Sequence, residues 1–126
     1  MKKIIFTEKA PAPIGPYSQA VLSGDTLYVS GQIPLNPESG ELVMASIEEQ
    51  TQQVMENLKS VLSQAEMAFD NVVKATIFIT DMNDFAKINS VYGSYFTESN
   101  APARETVQVS KLPKNVNVEI SVIAVK

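Results

Sequence analysis

The stretch SIEEQTQQVMENLKSVLSQAE (Ser46–Glu66) constrains the fold more than any other part of this chain. Ile47, Val54, Leu58, Val61, Leu62 and Ala65 recur at helical spacing and form one apolar stripe. Ser46 followed by Glu49 is a capping-box pattern, in which each side chain satisfies one orphan amide at the helix start. A helix with a single apolar stripe must lie on another element. The segment NVVKATIFIT, rich in β-branched residues, reads as a strand that can supply one. A second amphipathic helix follows in NDFAKINSVYGSYFTE, with Phe85, Ile88, Tyr92, Tyr95 and Phe96 on one face. Gly93 inside it costs about 1 kcal/mol relative to alanine, which is read as a sign of close packing.

The remaining segments build a sheet. APAPIGPYSQ (residues 10–19) carries three prolines and a glycine and is read as ordered but irregular. AVLSGDTLYVSG reads as a hairpin around Ser23-Gly24-Asp25, and IPLNPESGEL holds a turn at Asn36-Pro37 and Ser39-Gly40. The predicted order is β-β-α-β-α-β-β, an α+β fold with a mixed sheet and both helices on one face. The other sheet face is then left uncovered.

The two closing strands put polar residues on that uncovered face. In NVNVEISVIAV, Val116, Val118, Ile120, Val122 and Ala124 alternate on the side expected beneath the helices. Asn117, Glu119, Ser121, Ile123 and Val125 point the other way. If Val107 and Val109 also face the helices, Arg104, Thr106 and Gln108 share the uncovered face with Glu119. Two readings of that pair stay open. One is a structural salt bridge at an interface between copies of the chain. The other makes Arg104 a bidentate fork for a substrate carboxylate, with Glu119 handling water or protons.

Composition narrows the chemistry. The 126-residue chain is 44% hydrophobic and 19% charged, as expected of an ordinary globular domain. It has no cysteine and no histidine, so Ser-His-Asp and Cys-His arrangements and zinc–thiolate sites are excluded. Asp, Glu, Lys, Tyr, Arg, hydroxyls, backbone amides and water are what remain. The formal net charge of −4, with scattered lysines and arginines, argues against nucleic acid as a main partner. The five glycines are too dispersed for a dinucleotide or phosphate loop. The apolar run after Lys3 is too short for a signal peptide, and no run approaches a membrane span, so a cytoplasmic location is expected.

Several segments, taken together and in order, resemble the RidA-type reactive-intermediate deaminases, the YjgF family. They are APIGPYSQA, YVSGQIPLNPESGEL, QTQQVMENLKSVL, VVKATIFITDMNDFAKIN, PARETVQVSKLPKNVNVEI and the closing IAV. The resemblance runs from about residue 10 to the C-terminus, and it implies one RidA-like domain over residues 1–126. It also implies a chorismate-mutase-like fold assembled as a homotrimer around a central barrel, with active sites between subunits. The implied reaction is hydrolysis of 2-aminoacrylate, 2-iminobutyrate and similar 2-imino acids to 2-keto acids and ammonia, with no cofactor or metal. By the same resemblance Arg104 grips the substrate carboxylate, and Glu119 positions the attacking water. Tyr17 closes the cleft, Ser30, Gly31 and Thr106 line it, and Asn89 contacts the ligand or packs at the subunit boundary. Thr106 stands where many members carry cysteine, and Glu66 where a glycine is frequent after the first helix. The rival classes are a non-enzymatic trimer that binds small carboxylates or acts as a chaperone, and a ribonuclease or translation inhibitor.

Overall fold

The computed structural model describes residues 1–126. Its strands and helices are β1 (Lys2–Ile5), β2 (Ala20–Ser23), β3 (Thr26–Gln32), α1 (Ile47–Gln64), β4 (Val72–Ile79), α2 (Phe85–Gly93), β5 (Ala103–Gln108) and β6 (Val118–Val125). Six strands form one mixed sheet in the order β1-β2-β3-β6-β4-β5. Every pairing is antiparallel except β4–β5. Parallel neighbours need a crossover connection, and α2 lies within it. This is the α+β architecture expected, with one strand more. β1 escapes the pattern reading because it is a short edge strand in which only Ile5 is buried.

The core lies between the sheet and the helices. Leu27 and Val29 of β3, Ala75, Ile77 and Ile79 of β4, and alternate residues Val118 to Ala124 of β6 form its floor. Val54, Met55, Leu58, Val61 and Leu62 of α1 cover it, with Ile88 and Tyr92 of α2. The stripe read from α1 is therefore its buried face. On the opposite face Tyr28, Val73, Val107 and Val125 remain exposed. No helix is long and apolar enough to cross a membrane.

Local chemistry sets the ends of α1. The Ser46 hydroxyl accepts from the Glu49 N–H at 3.1 Å, but the reciprocal bond of a capping box is absent. At the other end Glu66 adopts a left-handed φ of 59°. Its N–H donates to the Ser63 carbonyl and that of Met67 to Leu62, the paired bonds of a Schellman closure. At this position glycine is usually favoured. The expectation about Gly93 fails, because an added Cβ there would meet no atom within 4 Å. Its place at the end of α2, rather than a tight contact, makes a glycine tolerable.

The strand-face expectation for β5 is also overturned. β5 pairs with β4 so that Arg104 lies beside Ala75 and Thr106 beside Ile77. Ala75 and Ile77 are buried beneath the helices, so Arg104 and Thr106 belong to the helix side. Val107 pairs with Phe78, as Glu119 does from β6. Val107 and Glu119 therefore share the open face, and Arg104 and Glu119 do not face each other within one chain.

Candidate functional site

Arg104 sits near the start of edge strand β5 and turns toward α2. Phe85, Asn89 and Tyr92 of α2 are spaced to share one helix face. The guanidinium carbon lies 5.5 Å from the Phe85 ring centre and 5.6 Å from that of Tyr92. One terminal guanidinium N–H donates to Asn89 Oδ1. A cavity of about 550 Å³ adjoins the group, lined by Asn89, Tyr92, Phe96, Pro102 and Arg104 among others.

Two hydroxyls in this region have unusual surroundings. Those of Tyr92 and Thr106 are both buried and find no hydrogen-bond partner in the chain. Burial pushes the Tyr92 phenol up to about 12, against a smaller opposing pull from Arg104, so it stays protonated at neutral pH.

Glu119 occupies a different setting across the sheet. Between Val29 and Gln32, β3 carries one residue more than the facing part of β6, from Val122 to Ile120. The resulting bulge contains Ser30 and Gly31, and bulges of this kind re-aim side chains next to functional sites. A Cβ added to Gly31 would lie 2.3 Å from Glu119 Oε2, so the carboxylate rests against the glycine backbone. The Glu119 carboxylate accepts no hydrogen bond and makes no ion pair within the chain. Burial raises its pKa above the ordinary carboxylate value.

The segment bearing Tyr17 is tied to the same bulge. The Ser30 hydroxyl donates to the Ser18 carbonyl at 2.6 Å, and the Ser30 N–H to the Gln19 carbonyl at 2.9 Å. Ser30 therefore spends its hydroxyl on the fold. Gln19 is fully buried, and its side-chain amide bonds to the backbone of Thr7, Ala10 and Pro11. This clamp orders the proline-rich stretch and leaves Tyr17 half exposed. Tyr17, Gln19, Gly31 and Lys114 line a second cavity of about 260 Å³. Sequence reasoning named neither Gln19 nor Lys114. The signal for Gln19 was a lone amide among prolines at the mouth of a strand.

The sequence-predicted residues thus form two groups. Arg104, Asn89 and Thr106 belong to the helix side, while Glu119 lies against the Ser30–Gly31 bulge near Tyr17. No cluster of three or more Asp or Glu side chains is placed to hold a metal ion.

Residues 7–126 match the sequence profile of the family described as Endoribonuclease L-PSP. A protein of the Rid family from Yersinia pestis has a solved structure 51% identical to this chain, with a TM-score of 0.97 and full coverage of both chains. The chain belongs to the RidA (YjgF) family. Among its RidA relatives, a RutC family protein of Pyrococcus horikoshii is 54% identical over 100% of this chain and 99% of its own. A bovine relative, named 2-iminobutanoate/2-iminopropanoate deaminase, is 50% identical over 100% of this chain and 91% of its own. The RidA fold accounts for the mixed sheet with two helices described above.

Proposed function

We propose that this RidA-family chain is a deaminase that hydrolyses short 2-imino acids and their enamine tautomers to 2-keto acids and ammonia. One observation carries the reading. An oriented arginine and a carboxylate without a partner lie on opposite sides of one sheet. Neither has a use within the chain. Both acquire one if a second copy brings its Glu119 side to the Arg104 side of the first. The assembly proposed is therefore a homotrimer with its sites between subunits, as the family resemblance implies, and the exposed apolar open face fits it. The bovine relative's name supports the reaction class.

The chemistry follows from the groups present. The guanidinium binds the substrate carboxylate through two parallel N–H donors. Glu119 takes a proton from water as the water oxygen bonds to the electrophilic C2 of the protonated imine and the C=N π pair moves to nitrogen, giving a carbinolamine. The same carboxyl returns the proton to the amino nitrogen. The C–N electron pair then leaves with ammonia while the hydroxyl proton passes to the regenerated Glu119 carboxylate and from it to the departing ammonia. Keto acid and ammonium leave, and the carboxylate is restored. A carboxylate whose pKa is raised by burial is better suited to this exchange than an exposed one. Orientation supplies much of the rate, and no histidine, thiol, metal or cofactor is called for. The ligand is a small 2-imino or 2-keto acid. The setting is the cytoplasm, where pyridoxal-phosphate enzymes acting on serine or threonine release such imines.

A carboxylate-binding protein without catalysis would need Arg104 but has no use for an unpaired half-buried Glu119. The ribonuclease implied by the family description sits poorly with a net charge of −4. The test is keto-acid release from 2-aminoacrylate or 2-iminobutyrate generated in situ. Wild type should accelerate release, while Arg104→Lys and Glu119→Gln should each lose at least about a hundredfold. Lysine cannot reproduce the bidentate geometry. No acceleration by wild type, together with keto-acid binding, would establish the binder instead.

A further inference from the structure

We propose that Phe85, Asn89 and Tyr92 of α2 are positioning residues that hold the Arg104 guanidinium by neutral contacts alone, leaving its charge and one edge for a carboxylate. The proposal rests on the reading of Arg104 as the carboxylate fork and concerns how that fork is held.

Arg104 is exposed at an edge strand, where a long flexible side chain ordinarily samples many rotamers. Here three side chains from one helix face converge on it. Two aromatic rings stand within cation–π range, and a neutral amide oxygen takes one N–H. No carboxylate joins them, since the chain's single ion pair is Lys74–Glu105 on the other side of β5. This distinction matters. A carboxylate would orient the guanidinium equally well but would neutralise it and occupy its fork. Ring faces and an amide fix the plane and leave the remaining donors free.

The support is itself rigid. Tyr92 packs on Phe96 at 4.9 Å between ring centres, and Phe96 packs on Phe69 at 5.3 Å. Tyr92 is buried, so the face it offers the guanidinium is held from behind. The three positions on α2 thereby become a unit with Arg104, although β5 and α2 are separate elements.

Calorimetric titration with pyruvate and the in-situ imine assay test this. Phe85→Leu keeps apolar volume at a half-buried position but removes the ring. It should raise the pyruvate Kd and the imine KM roughly three- to thirtyfold, with the urea midpoint little changed. Tyr92→Phe, which keeps the ring, should bind pyruvate within about twofold of wild type if the ring is what positions Arg104. Asn89→Asp keeps the shape but puts a carboxylate against Arg104, and should weaken pyruvate binding by at least about tenfold. A purely structural role would instead shift the urea midpoint and leave the Kd of the folded fraction unchanged, overturning the proposal. So would wild-type Kd values in both Phe85→Leu and Asn89→Asp while Arg104→Lys loses binding. If Arg104→Lys itself binds pyruvate normally, the carboxylate-fork reading fails first, and the positioning proposal falls with it.

Discussion

Glu119 sits in an environment that its side chain does not prefer. It lies against Gly31, half-buried and without a hydrogen-bond donor in the chain, and its pKa is raised by desolvation. A carboxyl raised on folding takes up protons relative to the unfolded chain, so it opposes folding only where it must ionise. Below the ordinary value of 4.5 it is protonated in both states and contributes nothing. As pH rises, the unfolded carboxyl ionises first and stability falls, until the folded group has also ionised and the whole penalty is present. Glu119→Gln removes that penalty. In urea denaturation the variant should gain on wild type at pH 7, and the gain should vanish near pH 4. An equal difference at both values would show that the charge is not what the fold resists. Stability gained as activity is lost is the exchange expected of a functional group.

At the scale of elements, α1 is specified by signals on both sides. Ser46 caps its start, and the Schellman closure stops it at Ala65. Met67 and Leu62 are both buried, as the apolar contact of that closure requires. Glu66 alone runs against preference, because its Cβ is crowded at a positive φ. Glu66→Gly should therefore raise stability by about 0.5–1 kcal/mol, seen as a higher urea midpoint with unchanged slope. A lower midpoint would mean that the glycine's extra freedom in the unfolded chain outweighs the relief. α2 does a different job. It closes the β4–β5 crossover and carries the face that meets Arg104, so its packing and the site are linked.

At the scale of the whole molecule, the open sheet face is the part that no element of the chain covers. Tyr28, Val73, Val107 and Val125 are exposed there beside the Lys74–Glu105 ion pair and Glu119. Sites built between copies make a prediction that a site within one chain does not. Arg104→Lys and Glu119→Gln proteins, each inactive alone, should regain activity when unfolded together and refolded as a mixture. Some mixed trimers then pair an intact Arg104 with an intact Glu119 from different chains. Keto-acid release should return to an appreciable fraction of wild type, and sedimentation should show a trimer. Refolded mixtures as inactive as the parents, or a stable monomer at micromolar concentration, would sink the inter-subunit site.

Local periodicity carried the elements. The α1 stripe, the Gly24 turn between β2 and β3, and the inward set Val118 to Ala124 of β6 were all legible, because spacing along the chain dictates which side chains share a face. β5 marks where that stops. Alternation requires that Arg104 and Glu105 oppose each other, yet both phases of the pattern satisfy it. Val107 and Val109 were apolar but did not mark the core, because the open face is itself partly apolar. The phase is set by register, Ala75 beside Arg104 in a parallel pairing across the α2 crossover. That contact joins residues distant in sequence and leaves no periodic trace. The Ser30–Gly31 bulge, the approach of Glu119 to Gly31 and the convergence of α2 on Arg104 have the same origin. The residue types of the site could be read from the chain, but their separation onto two sides of one sheet came from strand pairing, which only folding in three dimensions imposes.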